Sequence, residues 1–153
     1  MPDSTPALPM PAWRWPLAYA SAATVFLAMD AVWLGATHAA LYGPALGHLL
    51  SGKVDWTAAA LFYALYVAGL LVFAVAPALA SGRPASAVWR GALLGLLAYA
   101  TYDLTNQATL MGWPWHVTLV DLVWGATVSG SAAGAAALLT ALTCRRARRT
   151  SGR

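Results

Sequence analysis

Glutamate does not occur in this chain, cysteine occurs once, and only 9% of the 153 residues are charged. Soluble domains carry about a quarter charged residues. That scarcity, with 60% hydrophobic residues and a mean hydropathy of +0.62, excludes an ordinary soluble domain. The single Cys144 excludes an intrachain disulfide, and its place beside Arg145 and Arg146 points to a reducing, cytoplasmic setting. Catalytic signatures are also missing. Ser129 and Ser131 have no Gly-x-Ser-x-Gly context, no glycine loop could cradle a phosphate, and no His-Glu-x-x-His occurs. His38, His48 and His116 lack the spacing of a metal site, so neither a metal nor a cofactor is expected.

What the chain has in quantity is apolar length. Four stretches, about 17–36, 56–79, 87–111 and 117–142, approach or exceed the ~20 residues that cross a bilayer as a helix. Short connections between them predict an all-α, polytopic membrane protein, an antiparallel four-transmembrane-helix bundle over 17–142. Residues 1–16, rich in proline, read as a disordered cytoplasmic leader, and 143–153 as a basic cytoplasmic tail. Arg14, Arg83, Arg90 and the five tail arginines fall on one side and only Lys53 on the other. Cytoplasmic loops are enriched in Lys and Arg, so both termini are expected inside. The same rule explains the basic tail without nucleic acid, which is not expected as a partner. The Gly91/Gly95 and Gly130/Gly134 pairs read as close helix packing, with a homo-oligomer or a membrane partner protein as the lesser alternative.

Three aspartates interrupt the spans. Asp30, Asp103 and Asp121 all map to the outer half, and an Asp at a helix centre costs on the order of 3 kcal/mol on insertion scales. No Lys or Arg is placed to neutralise them. They must be protonated, hydrated, hydrogen-bonded, or matched by a cationic ligand. In the third span Tyr99, Tyr102, Asp103 and Asn106 recur at three-and-four spacing as one polar stripe. Tyr63 and Tyr66 lie at similar depth on the second span, and His116 lies just above Asp121. These nine residues are the candidate lining of an outward-facing pocket for a proton, a cation or a small polar solute. The competing expectation is a hydrogen-bonded core that only holds helices together. Asp30-Ala31-Val32-Trp33 and Asp121-Leu122-Val123-Trp124 share an Asp-x-Val-Trp pattern, which reads either as the trace of an inverted repeat or as chance.

Two classes of function follow. One is a binding or transport module using the outer carboxylate and tyrosine cluster. The other is a membrane enzyme or enzyme accessory acting on a lipid-borne substrate, with carboxylates as general acid and base; a structural subunit of a larger complex is a third possibility.

The segments Asp30–Gly35, Leu61–Tyr66, Ala98–Asn106 and Asp121–Gly125, above all Tyr-Ala-Thr-Tyr-Asp-Leu-Thr-Asn at 99–106, resemble the bacterial domain-of-unknown-function family 2177. The resemblance spans nearly all of the chain outside the leader and tail. It implies an integral protein of the bacterial cytoplasmic membrane and assigns no activity and no catalytic residue.

Overall fold

The computed structural model describes residues 12–151, which form helices and turns without a strand. Residues 1–11, most of the expected leader, lie outside the described residues. The helices are α1 (Arg14–Thr37), α2 (Gly43–Leu46), α3 (Trp56–Leu70), α4 (Ala76–Ala80), α5 (Ser86–Thr109) and α6 (Trp115–Ser151). A π-helical turn, His38–Tyr42, joins α1 to α2, and a second, Leu71–Val75, joins α3 to α4.

Both π turns precede a proline. A proline inside an α-helix removes a donor, and its ring clashes with the carbonyl four residues back. In the π turns the backbone N–H of Gly43 reaches His38 O and that of Ala76 reaches Leu71 O, five residues back, which widens the helix just ahead of Pro44 and Pro77. The first rod therefore continues past Ala36 to Leu46 instead of ending in a loop, and the second continues to Ala80. The start of α3 is set by Asp55, whose Oδ1 accepts the backbone N–H of Thr57 at 2.9 Å and of Ala58 at 3.1 Å. Between α5 and α6 the chain reverses through Gly112 at φ +79°, a conformation that L side chains rarely adopt.

Packing is inverted relative to a soluble protein. The centre is built from Ala18, Ala22, Ala74, Ala78, Ala132, Ala133, Ala136 and Ala137 around Phe26, while Leu61, Leu65, Phe73, Leu97 and Val123 face outward. Small residues inside and large apolar ones outside suit lipid as the surrounding solvent, where close backbone approach drives association. Three helical rods among the described residues are long and apolar enough to cross a membrane: Arg14–Leu46, Trp56–Ala80 and Trp115–Ala147. The expected third span, α5, is not among them. Its 24 residues reach about 36 Å, enough to cross, but Tyr99, Thr101, Tyr102, Asp103, Thr105, Asn106 and Gln107 crowd its second half.

α6 is the element on which the others converge. A Cβ built on Gly91 of α5 would come within 2.6 Å of the Ser129 carbonyl oxygen, and one on Gly134 of α6 within 2.6 Å of Val88 Cγ2. Further along, Thr118 Oγ1 donates to Gln107 Oε1 at 3.2 Å, so α5 and α6 run in opposite directions. α1 also opposes α6: Asp30 meets Trp124, while Arg14 and Cys144 border one cavity near the other end.

Candidate functional site

The buried positions of α1 are Arg14, Ala18, Ala22, Phe26 and Asp30, each four residues after the last. That spacing puts them on one face, which directs Asp30 inward. From α6, Asp121 points to the same region, and both acids retain only 7% exposure. Between them lies a cavity of about 300 Å³ bordered by α1, the first π turn, α5 and α6. Its polar and aromatic lining comprises Asp30, Asp121, Trp33, Trp113, Trp124, Tyr42, Tyr99, Tyr102 and His38, with Leu34, Leu46 and Leu50 completing the wall. None of these residues is Lys or Arg.

The two acids are held by aromatic donors. Asp30 Oδ2 accepts the Tyr63 hydroxyl at 2.5 Å, and its Oδ1 accepts the Trp124 indole N–H at 3.3 Å. Asp121 Oδ1 accepts the Tyr42 hydroxyl, whose oxygen in turn accepts the Trp33 indole N–H at 2.9 Å. The Trp33 and Trp124 rings stack with centroids 4.3 Å apart and planes 7° from parallel. Each tryptophan thus serves the aspartate of the opposite helix, Trp124 directly and Trp33 through Tyr42. This reciprocity accounts for the two Asp-x-Val-Trp motifs as a local two-fold contact.

Asp103 is placed differently. It is completely buried, neither carboxylate oxygen has a hydrogen-bond partner among the described residues, and it does not border the cavity. An ionised group so desolvated costs several kcal/mol; a proton or a neighbouring cation removes that cost.

The other candidates divide. Tyr99 is half-buried and borders the cavity; Tyr102 borders it while remaining 60% exposed, its ring edge-on to Trp113 at 5.8 Å. Tyr63 reaches the site through Asp30. Tyr66 instead shares a 2.7 Å hydrogen bond with Ser129 and packs on Phe26, away from the cavity. Asn106 is half-buried and His116 exposed, and neither borders the cavity. The histidine at the site is His38. Sequence reasoning also passed over Gln107, which donates to Trp113 O at 2.9 Å and accepts from Thr118, fixing the wall that Trp113 forms. Among the described residues, no three His, Cys, Asp or Glu side chains cluster as metal ligands would.

A family model described as predicted membrane protein (DUF2177) matches residues 15–138, most of the chain. The chain belongs to this family. The matched region of the DUF2177 protein contains both aspartates of the cavity, the stacked tryptophans, Tyr42, Tyr63 and Asp103, and stops within α6 ahead of the arginine tail. No curated protein and no solved structure matches it. As a membrane protein it has the lipid bilayer as its surroundings.

Proposed function

We propose that this DUF2177 protein is a binding or transport module of the bacterial cytoplasmic membrane, with all four rods crossing as an antiparallel bundle and the acidic aromatic cavity facing outward. The carrying observation is a 300 Å³ cavity bordered by two buried carboxylates and by no Lys or Arg. A volume of that order sits at the lower end of small-molecule sites. Membership of α5 in the membrane is supported by its outward Leu93, Leu96, Leu97 and Leu104 and by its glycine contacts with α6.

The orientation rests on the basic residues. Arg14, Cys144 and Arg145 border a common cavity near one end, and Lys53 lies in the connection at the other. Membrane-impermeant thiol labelling of intact cells should leave Cys144 unmodified and modify a Ser51→Cys protein. Labelling of Cys144 from outside would reverse the topology and turn the cavity inward.

The binding reading is tested by thermal unfolding of the purified chain with sodium chloride, choline chloride, glycine, glucose and sodium acetate as probes. A ligand at a hundred times its Kd adds about 2.7 kcal/mol to stability, so at least one probe should raise the midpoint by several degrees. Asp121→Asn, which keeps shape but removes the charge, should abolish that rise. Failure of every probe, or an equal rise in Asp121→Asn, would overturn the reading.

A further inference from the structure

We propose that the cavity selects a methylated or quaternary ammonium cation. This deepens the binding reading and rests on it. Two features of the lining choose the ligand class together. The first is charge: Asp121 is more than nine-tenths buried, its Oδ1 is held by Tyr42, and its Oδ2 makes no hydrogen bond among the described residues. An anion would meet two carboxylates with no compensating Lys or Arg. A neutral solute offers an ionised carboxylate no counter-charge.

The second feature is the nature of the walls. Trp33 and Trp124, stacked as a pair, border the space with Trp113, Tyr42, Tyr99 and Tyr102, so half of the twelve lining residues are tryptophan or tyrosine. Aromatic faces attract cations electrostatically, most strongly where water is excluded, and they suit alkylated ammonium groups, which shed water more readily than a bare ion. An inorganic cation asks for several oxygen ligands at once. Here three of the four carboxylate oxygens of Asp30 and Asp121 already accept tyrosine or indole donors, and the described residues hold no cluster of metal-binding side chains. The volume fits a headgroup-sized cation. That chemistry is carried both by free choline and by the headgroup of phosphatidylcholine.

The test uses the full chain in phosphatidylglycerol nanodiscs and follows its tryptophan fluorescence. Choline and tetramethylammonium should give saturable changes. Potassium, and 3,3-dimethyl-1-butanol, the uncharged isostere of choline, should bind at least about tenfold more weakly. Asp121→Asn should weaken choline by at least about tenfold, whereas Asp55→Asn, at the exposed cap of α3, should not. The comparison of choline with its isostere needs only the wild-type chain, so a variant that misfolds does not blunt it. Competition by phosphatidylcholine nanodiscs would assign the lipid headgroup as the source, and its absence the free cation; either supports the class. Isostere binding equal to choline, or tighter binding of potassium, overturns the ammonium class and leaves the cavity a binding site. Stabilisation by glycine, glucose or acetate without any ammonium binding does the same. Silence of every probe overturns both.

Discussion

Gly95→Val leaves no folded protein, and Gly95→Ala costs about 3 kcal/mol, the upper part of the range for overpacking. The expectation comes from the α5–α6 contact. A Cβ at Gly95 would overlap the Gly125 carbonyl oxygen and lie 2.5 Å from Ser129 Oγ, and a backbone carbonyl cannot rotate away as a side chain can. The helices would have to part, which also removes the Tyr66–Ser129 hydrogen bond from its setting. Against a total stability of roughly 5–15 kcal/mol, the larger valine side chain exceeds what the fold tolerates. The measurement is denaturant unfolding of purified protein by tryptophan fluorescence. Gly69→Ala supplies the contrast, since nothing lies within 4 Å of a Cβ there; that change should be neutral or gain up to about 1 kcal/mol from helix propensity. Equal behaviour of the two alanine variants would discard the close-contact account.

The second large effect has the opposite sign. Asp103→Leu should stabilise the protein by about 1–3 kcal/mol, because it removes a buried polar group with no hydrogen-bond partner among the described residues. On the binding reading it should also weaken the solute response of the cavity, because one of the three helix aspartates is then gone. Asp103→Asn should change stability little and reduce the response. A polar group that weakens the fold and is kept at its centre is the pattern expected of a functional group. If Asp103→Leu instead destabilises and the solute response persists, Asp103 belongs to the scaffold.

The charge scarcity that makes the chain a membrane protein also makes its aspartates conspicuous, so Asp30, Asp103 and Asp121 stand out without a structure. Helical spacing likewise brings Tyr99 and Asp103 to attention. Periodicity, however, names a face and not the neighbour it meets: Asp103 is completely buried while Tyr102, one residue earlier, is 60% exposed. The aromatic half of the site was the harder part. Trp33 and Trp124 were visible only as members of a repeated four-residue pattern, and their stacking depends on two helices far apart in sequence. Tyr42 was hidden by the expectation that α1 stops near Ala36, because the residues after it carry His38, Gly43 and Pro44, which read as a loop. A π turn that accommodates Pro44 has no pattern in hydropathy.

That π turn ties the site to the length of the chain as much as to its side chains. A π turn contains one residue more than the α-helical turn it replaces, and each residue of an α-helix adds about 100° of rotation. Taking one residue out of His38–Tyr42 would restore an α-helical register, swing everything beyond it by roughly that angle, and carry Leu46 off the Trp113 and Val117 cluster against which it packs. The bridge from Trp33 through Tyr42 to Asp121 would then be lost with every one of its three residues still present. For this protein a one-residue gap in that segment is a larger event than most substitutions in the cavity itself.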